Sequence, residues 1–505
     1  MEFDQDLQSI QEMRQAVQKA KEAQKKFESF TQEQVDRIIK KIADAAYDQS
    51  ERLAEMAVHE TGMGVFEHKT IKNQVGSRDV YESIKDEKTV GVVNEDRTNK
   101  VTEFAYPFGV VAGIIPTTNP TSTAFFKTLI ALKSRNAIVV SPHPSAVRCT
   151  VEALRVCHEA AKEAGAPEGI VGWISKPSMP ATTELMKHRD VQVILATGGG
   201  GLVRAAYSSG KPAYGVGPGN VPAYLEKTCN VQKSVQMIVD SKTFDNGTIC
   251  ATEQALIVDQ NIKEMTVREL RNNGAYFLDA EEKRRVEDVI SPVRGKLNPK
   301  IVGRTAHHIA KMAGVEVSEG TRLLIAEENQ VGKKVPFSIE KLSPLFPLYT
   351  VKDSEEAESL CIELLGLGGR GHSMALHTQD DQVAKQFGQA MPVSRIMVNT
   401  LSSIGAVGAT TGLTASMTLG CGSYGGNITS DNITARHLIN IKRLAYGIKE
   451  VQIPRATSKN TEDNTTERSE NDVEKVVSDV MKKVGSEQLD PSTVSEIVER
   501  VLQKQ

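Results

Sequence analysis

Hydrophobic residues recur at helical spacing near the start of the chain and in short unbroken runs from about residue 104 onward. The opening segment has apolar residues at every third or fourth position, which predicts amphipathic helices over 7–41 and 42–59. The later apolar runs lie between glycines and turn residues and alternate with amphipathic stretches. Such alternation is typical of a parallel sheet covered by helices, so the pattern predicts an α/β fold.

The first repeats of this alternation can be assigned to individual segments. Strands are predicted at 109–115, 137–140, 169–174 and 191–196, and helices at 121–133, 145–164 and 202–207. A similar alternation resumes from Ala255, and a chain of 505 residues is too long for one ordinary core. The sequence therefore predicts two parallel-sheet α/β domains.

The composition changes near the C-terminal end of the chain. Residues 456–470 are almost entirely polar and predict a disordered linker. An amphipathic helical tail is predicted at 471–505, and its second helix has Asp490 as N-cap and Pro491 at the first helical position. Such short helices are marginal alone in water, so their apolar stripes need a partner surface. Folding back on their own domain is one solution, and the polar tether favours docking elsewhere.

Composition and charge limit the classes of function. Hydrophobic and charged contents of 39% and 25% are those of a soluble globular protein, and a net charge of −3 argues against binding to nucleic acid. The N-terminus lacks the apolar core of a signal peptide, and the longest apolar stretch, 109–115, is too short to span a bilayer. Six scattered cysteines form no CxxC pair. These features favour the reducing cytoplasm and predict no nucleic-acid partner, no membrane and no metal site.

Cys250 is the strongest candidate for chemistry. It follows a predicted helix at 231–242 and a polar Asn-Gly break at 246–247, and a predicted strand at 255–258 comes after it. A thiol at such a junction is held in place and remains accessible, and nearby backbone N–H groups can help to form the nucleophilic thiolate. On this evidence alone, a buried structural cysteine is the alternative.

Two glycine-rich segments match nucleotide-binding patterns, and only one has the required context. Residues 366–371 match the GxGxxG string, but a predicted helix precedes them and a predicted strand follows. Residues 197–201 follow a predicted strand and lead into a helix, whose first backbone N–H groups can receive a pyrophosphate. We therefore predict nucleotide binding at 197–201 and a simple connecting loop at 366–371.

The motifs along residues 10–455 resemble the aldehyde dehydrogenase superfamily, in particular its coenzyme A (CoA)-acylating branch. The matching segments are 108–120, 141–146, 196–199, 215–220, 242–254, 340–344 and 418–427. The resemblance implies a Rossmann-like NAD-binding domain at 1–225, with a strand at 100–106 in a small β oligomerisation flap. It also implies a catalytic domain at 226–428, followed by a return segment and a second oligomerisation strand within 429–455.

The same resemblance implies roles for individual residues. Cys250 would attack the aldehyde carbon, and the side-chain amide of Asn119 with the backbone N–H of Cys250 would hold the oxyanion. Glu340 would hold the nicotinamide ribose, the turn at 197–199 the pyrophosphate, and His143 would lie near the adenosine ribose. The implied cofactor-binding residues are Thr117, His143, Pro144, Ser145, Thr197, Gly198, Gly199, Gly217, Glu340 and Pro344. A surface or capping role is the alternative for each polar residue among them.

One departure from the family pattern bears on the reaction type. Hydrolytic members carry a general-base glutamate in the segment at 215–220, where this chain has no acidic residue. The resemblance therefore implies transfer of the acyl group to CoA, whose own thiol is the nucleophile. Glu253 is an alternative base, which would restore hydrolysis to a free acid. The expected substrates are acetaldehyde or propionaldehyde, with CoA and with NAD rather than NADP.

The tail resembles the encapsulation peptides that draw enzymes into bacterial microcompartments. The resemblance implies shell proteins or co-encapsulated enzymes as partners, and a location inside such a compartment in the cytoplasm. Because the family pairs edge strands between subunits, the segments 100–106 and 443–453 are candidates for contacts in a homodimer or homotetramer. A mainly structural, shell-associated protein is the alternative to an enzyme.

Overall fold

The computed structural model describes residues 4–453, 470–484 and 490–502. The described residues up to Ala445 form one compact unit, and those from Tyr446 onward form a second. The strands are β1 Gly91–Asp96, β2 Val101–Pro107, β3 Val110–Ile114, β4 Ala137–Ser141, β5 Val171–Trp173, β6 Val191–Thr197, β7 Ala213–Val216, β8 Val221–Leu225, β9 Glu253–Asp259, β10 Ala275–Phe277, β11 Leu323–Glu327, β12 Leu345–Val351, β13 Gly371–His377, β14 Val393–Val398 and β15 Ile439–Ala445. The α-helices are α1 Gln5–Phe27, α2 Gln32–Asp48, α3 Ser50–Thr61, α4 Phe66–Gln74, α5 Val80–Ile84, α6 Pro120–Lys133, α7 Val147–Glu163, α8 Met179–Lys187, α9 Gly200–Tyr207, α10 Val231–Thr243, α11 Lys263–Asn272, α12 Ala280–Ile290, α13 Ala306–Met312, α14 Ser354–Leu367, α15 Asp381–Ala390, α16 Ser402–Gly405, α17 Glu470–Val484 and α18 Pro491–Leu502.

Two parallel sheets form the body of the first unit, in agreement with the predicted fold class. The five-stranded sheet has the order β5-β4-β3-β6-β7, and the seven-stranded sheet has the order β10-β11-β12-β9-β8-β13-β14. All neighbouring strands in both sheets are parallel. Their central strands are buried along their whole length, which explains the short continuous apolar runs in the sequence. β8 already pairs in the seven-stranded sheet, just before the predicted domain boundary at residue 225.

The amphipathic opening segment folds into three helices, so the prediction of two was wrong. A capping box at Thr31 starts α2: the Thr31 hydroxyl accepts a hydrogen bond from the backbone N–H of Gln34, and the Gln34 side chain accepts one from the Thr31 N–H. This reciprocal pairing satisfies two N–H groups at a helix start and interrupts the helix predicted over 7–41. The helix predicted over 42–59 is likewise divided between α2 and α3.

A small antiparallel sheet brings together distant parts of the chain. β2 lies between β1 and β15, and Ala105 of β2 faces Ile441 of β15. The strand predicted at 100–106 corresponds to β2. The strand predicted at 443–453 was placed too far along the chain. The observed strand β15 begins at Ile439 and ends at Ala445, and residues 446–453 belong to no strand. The two candidate oligomerisation strands therefore pair with each other within one chain.

The second unit contains both predicted tail helices, and α17 contacts α18. Within their apolar stripes Val494 is buried. Other stripe residues remain between 36% and 57% exposed, namely Val476, Val480, Ile497 and Val501. The pairing of the two helices therefore covers only part of their apolar surface.

The predicted linker at 456–470 lies outside the described residues, apart from Glu470 at the start of α17. In the described part of the chain, no helix combines the length and the apolar character needed to cross a membrane.

Candidate active site

A cleft of about 360 Å³ lies at the carboxyl ends of the five-stranded sheet. One wall is formed by residues that directly follow β3, β4, β6 and β7. The opposite wall contains the loop before β9, together with residues near 340, 407 and 417. Ligands of parallel α/β sheets bind at this edge, beyond the carboxyl ends of the strands, so the cleft is the candidate site.

The cleft brings together most of the predicted site residues. Those that line it are Cys250, Asn119, Thr117, His143, Thr197, Gly198, Gly199, Gly217 and Glu340. Pro144, Ser145 and Pro344 are not among the residues that line it. The sequence did not identify several other lining residues, including Thr248, Met179, Leu342 and Met417.

Cys250 follows a turn in which three successive residues have left-handed backbone conformations. Asp245, Asn246 and Gly247 have φ values of 51°, 52° and 78°. This region costs a residue other than glycine roughly 1–2 kcal/mol, so other contacts must hold the turn. One of them is a hydrogen bond of 2.7 Å from the backbone N–H of Val65 to Oδ1 of Asp245. A distant part of the chain therefore fixes the turn that carries the thiol.

Two buried lysines of α4 pair with Asp245. Nζ of Lys69 lies 3.0 Å from Oδ2 of Asp245, and Nζ of Lys72 contacts the same oxygen. Lys72 also donates hydrogen bonds to Oδ1 of Asn119 at 2.6 Å and to Oγ1 of Thr248 at 3.0 Å. Burial opposes ionisation of Asp245, but the charges of Lys72 and Lys69 lower its pKa to about 2. Burial lowers the pKa of Lys72 to about 8, so at neutral pH this lysine still carries its charge beside the carboxylate of Asp245.

Asn119 is the N-cap residue of α6 and lies at the end of the strand–loop segment after β3. Its Nδ2 lies 3.3 Å from the carbonyl oxygen of Thr248 and 3.2 Å from Oγ1 of Thr118, while its Oδ1 faces Lys72. The amide thus lies beside the loop of Cys250 with its nitrogen on the side away from the lysine. An amide in this place can donate to an oxygen that develops negative charge next to the thiol.

Cys250 is partly exposed, whereas the other five cysteines are buried. Burial, with a smaller contribution from the nearby charge of Glu340, raises the pKa of its thiol to about 12, although the charge of Arg395 acts in the opposite direction. The thiol is therefore protonated at neutral pH in this arrangement. Only the thiolate form of a cysteine is a good nucleophile, so such a role at Cys250 would need positive charge or hydrogen-bond donors that stabilise the anion.

Glu340 is the only acidic residue that lines the cleft in the described part of the chain. Its Oε1 accepts a hydrogen bond of 2.8 Å from the backbone N–H of Gly219, and burial raises its pKa to about 7. Gly219 itself lies against the loop that carries Cys250, since a Cβ there would come within 2.1 Å of the carbonyl oxygen of Cys250. Only glycine permits such an approach, which explains one residue of the acid-free segment at 215–220.

Glu253, the alternative base, points into the protein interior. Its Oε2 accepts a hydrogen bond from the hydroxyl of Ser241 at 2.7 Å, and its Oε1 accepts one from the backbone N–H of Ser402 at 3.1 Å. The residue is fully buried at the start of β9 and is not among those that line the cleft. Burial raises its pKa to about 7. Glu253 therefore does not reach the cleft and is not placed to activate a water molecule there for hydrolysis.

The part of the cleft around the turn at 197–199 is open and, within the described chain, contains polar atoms without a hydrogen-bond partner. The turn at 197–199 joins β6 to α9, and a Cβ on Gly199 would meet no atom within 4 Å. The hydroxyls of Thr117 and Thr197 are buried and have no hydrogen-bond partner among the described residues. Since buried hydroxyls normally have partners, these two fit a polar ligand such as the phosphates or ribose of a dinucleotide. Residues 366–371 join α14 to β13 and do not line the cleft.

The sequence and the fold are similar to those of known aldehyde dehydrogenases. The aldehyde dehydrogenase family model matches residues 6–434. The chain is 47% identical over 442 residues to the bifunctional aldehyde-alcohol dehydrogenase AdhE of Escherichia coli strain K12. That match covers 86% of this chain and 50% of the relative, so the chain spans about half the length of AdhE.

Solved structures resemble the chain over nearly their whole length. An acetylating aldehyde dehydrogenase from Geobacillus thermoglucosidasius is 56% identical with a TM-score of 0.88, covering 89% of this chain and 99% of that one. A propionaldehyde dehydrogenase from the fucose utilisation bacterial microcompartment of Clostridium phytofermentans is 28% identical with a TM-score of 0.77, covering 86% and 97%. The same TM-score and coverage hold for a Rhodopseudomonas palustris propionaldehyde dehydrogenase with bound CoA and an acylated cysteine, which is 29% identical.

Proposed function

The chain belongs to the aldehyde dehydrogenase family, and we propose that it oxidises a short aliphatic aldehyde, such as acetaldehyde or propionaldehyde, and transfers the acyl group to CoA. One observation carries the proposal. The cleft places a partly exposed Cys250 beside the amide of Asn119, and the segment 215–220 along its wall provides no carboxylate. Relatives described as acetylating, and one with bound CoA and an acylated cysteine, support the same choice.

In the first half of the proposed reaction, the thiolate of Cys250 forms a bond to the aldehyde carbon. The carbonyl oxygen becomes the oxyanion of a thiohemiacetal, to which Asn119 Nδ2 and the backbone N–H of Cys250 donate. Loss of one such donor typically raises a barrier by about 3 kcal/mol. NAD, when bound, supplies the acceptor for the hydride that leaves the aldehyde carbon. Cys250 then holds the acyl group as a thioester.

In the second half, the thiolate of CoA attacks the thioester carbon and the sulfur of Cys250 leaves. Aldehyde, NAD⁺ and CoA are converted into acyl-CoA, NADH and a proton. Hydrolysis would instead need a base to activate water. Glu340 is held by the N–H of Gly219 and Glu253 lies in the interior, which favours thiolysis over hydrolysis.

We propose NAD rather than NADP as the nucleotide. Thr117, Thr197 and Glu340 would hold the nucleotide. His143 lines the cleft from the loop that follows β4. No lysine or arginine of the described chain lines the cleft, and burial lowers the pKa of His143, so its ring is neutral near pH 7. The 2′-phosphate of NADP is usually held by a cationic side chain. Because no such side chain among the described residues lines the cleft, the lining supports NAD.

The test is a kinetic panel of aldehydes with each nucleotide, in the presence and absence of CoA. NADH formation that depends on CoA, with acyl-CoA as the product, is expected. Full turnover without CoA and release of a free acid would contradict the acylating reaction. Equal kcat/KM with NADP would contradict the nucleotide choice alone.

We propose further that the second unit docks on shell proteins or co-encapsulated enzymes of a bacterial microcompartment. Exposed valine and isoleucine side chains on α17 and α18 support this, as does the origin of one structural relative. Deletion of residues 456–505 should abolish co-assembly with shell proteins and leave CoA-dependent turnover unchanged. Unchanged co-assembly after the deletion would contradict the docking role.

We also propose that the sheet of β1, β2 and β15 contributes to a homodimer or homotetramer. β15 is an outer strand of this sheet, and such an edge offers backbone N–H and C=O groups to a second chain. Light scattering of the full chain should give the mass of two or four copies. A monomer at micromolar concentration would contradict this assignment.

A further inference from the structure

The side-chain amide of Asn119 can serve an oxyanion in only one of its two orientations. With Nδ2 toward the reacting oxygen, the amide donates a hydrogen bond. With Oδ1 in that place, a partial negative charge would face the developing negative charge. The two ends of an amide have nearly the same shape, so hydrogen bonds rather than packing must select the orientation.

Bonds at both ends of the amide act in the same direction: Nδ2 donates to the carbonyl oxygen of Thr248 at 3.3 Å, and the charged Lys72 fixes the Oδ1 end. An ammonium group has three donors and no acceptor, and Nζ of Lys72 uses them toward Oδ1 of Asn119 at 2.6 Å, Oγ1 of Thr248 at 3.0 Å and Oδ2 of Asp245. A reversed amide would place its own N–H groups against this ammonium, with no acceptor between them. We propose that Lys72 is a positioning residue that holds the Asn119 amide with its N–H groups toward the oxyanion.

The lysine is itself held in place. The side chains of Lys72 and Asp245 are 3% and 0% exposed, so water does not compete for their contact. Oδ2 of Asp245 also accepts a hydrogen bond from Oγ1 of Thr248 at 2.6 Å. Because Lys72 is charged, its bond to Oδ1 also polarises the Asn119 amide and makes the opposite N–H groups better donors.

Lys69 is a matched control within the same cluster. It lies on the same helix, has the same 3% side-chain exposure and contacts the same oxygen of Asp245. Its other hydrogen bond, however, goes to the carbonyl oxygen of Thr118 at 2.9 Å and not to the amide of Asn119. Balancing the charge of Asp245 is a role that both lysines share, whereas of the two only Lys72 bonds to the side-chain amide of Asn119.

The experiment compares Lys72→Met with Lys69→Met in the full-length chain, with CoA-dependent NADH formation as the readout. Methionine fills the volume of the lysine stem and offers no donor. Lys72→Met should lower kcat about 100-fold, as loss of an oxyanion donor does, with little change in KM for the aldehyde. Lys69→Met should lower kcat less than about threefold, since it leaves the amide in place.

A double-mutant cycle tests whether Lys72 acts through Asn119. In the background Asn119→Ala, adding Lys72→Met should lower kcat by less than about threefold, because the amide to be oriented is already gone. Equal losses at the two lysines, or full multiplication of the Lys72→Met and Asn119→Ala effects, would overturn the inference.

Glutamine variants at both positions keep the comparison decisive if a methionine variant does not fold, as judged by its melting curve. Lys72→Gln retains an N–H donor for Oδ1 of Asn119 and should be more active than Lys72→Met, whereas Lys69→Gln should match Lys69→Met. Equal activity of Lys72→Gln and Lys69→Gln would count against the inference. This inference rests on the proposed function, and failure of that function is seen separately, as absence of CoA-dependent turnover in the unmodified chain.

Discussion

Two regions of the cleft differ in how completely their polar groups are paired: the thiol wall, with Cys250, Asn119 and the adjoining Lys72, and the proposed nucleotide wall, with Thr117, Thr197 and Gly199. On the wall with the thiol, the amide of Asn119 and the ammonium of Lys72 are held by hydrogen bonds between protein groups. On the nucleotide wall, the hydroxyls of Thr117 and Thr197 have no partner among the described residues, and Gly199 faces open space. The first wall is organised before any ligand arrives, and the second is left for a ligand to complete.

Because of this difference, substitutions in the two regions are expected to change different measured quantities. Changes on the thiol wall should lower kcat or the stability of the protein, because they remove groups fixed by the fold. Changes on the nucleotide wall should raise KM for NAD with little effect on stability, because the groups they alter are not used by the fold.

The largest effect is expected for Cys250→Ala. The variant should lose at least about 10⁴-fold in turnover, as enzymes do when a covalent nucleophile is removed. NAD binding, measured by calorimetry, should remain, because the nucleotide wall is intact. Cys229→Ala, at a buried cysteine away from the cleft, is the control and should keep its turnover. Turnover retained in Cys250→Ala would instead point to a different nucleophile.

A large loss of stability is expected for Asp245→Asn. The change leaves two buried ammonium groups without their carboxylate, which typically costs about 3 kcal/mol or more. Denaturant midpoints should show this loss at pH 7. Asp240→Asn is the control, because its ion pair with Arg322 is exposed at the surface and is worth less than about 1 kcal/mol.

The same cluster predicts a pH dependence of stability. The pKa of Asp245 is about 2 in the folded chain and 3.8 in its ordinary state. A depressed carboxyl pKa stabilises the fold above pH 3.8, and this stabilisation is lost as the pH falls toward 2. The difference in stability between the unmodified chain and Asp245→Asn should therefore be smaller at pH 3 than at pH 7. A difference that grows at low pH would contradict the assigned ion pairs.

A moderate effect is expected on the nucleotide wall for Gly199→Ala. The backbone angles of Gly199, φ −63° and ψ 156°, suit any residue, and its Cβ would meet no protein atom within 4 Å. KM for NAD should rise about tenfold, with an unchanged melting temperature. Gly388→Ala within α15 also adds a methyl group to open space and should leave KM unchanged, while the melting temperature rises slightly because alanine favours the helix. Equal KM values for the two variants would show that the turn at 197–199 does not touch the nucleotide.

The smallest effect is expected for Glu340→Gln, measured as the rate of Cys250 alkylation by iodoacetamide. Above its pKa of about 7, the negative charge of Glu340 raises the pKa of Cys250. Removing that charge should lower the thiol pKa by about one unit or less and accelerate alkylation at pH 9. At pH 6 Glu340 is protonated in the unmodified chain, so the two rates should converge. Slower alkylation of the variant at pH 9 would contradict this sign.

Local patterns in the sequence predicted the elements that local physics determines. The apolar runs predicted the parallel strands, and the helix and Asn-Gly break before Cys250 predicted its junction. The division between α1 and α2 was missed, although Thr31 and Gln34 carry the spacing of a capping box. Motif matching also included Pro344, which has the right neighbours in sequence but does not line the cleft.

The support of the thiol wall could not be predicted in the same way. Lys69 and Lys72 lie in a nine-residue helix rich in polar residues, and buried lysines are rare. Their partner Asp245 lies more than 170 positions further along the chain. Nothing in the local pattern distinguishes them from solvated charges, and only the three-dimensional fold shows that they meet.

That separation along the sequence also has a consequence for how the enzyme matures. The cluster of Lys69, Lys72 and Asp245 closes a loop of more than 170 residues, and such non-local contacts carry an entropy cost that slows their formation in folding. A chain whose sheets have formed but whose α4 has not docked would carry its thiol on an unsupported turn. Helix α4 is synthesised more than 170 residues before Asp245, yet its docking would then be among the last steps needed to make the enzyme active.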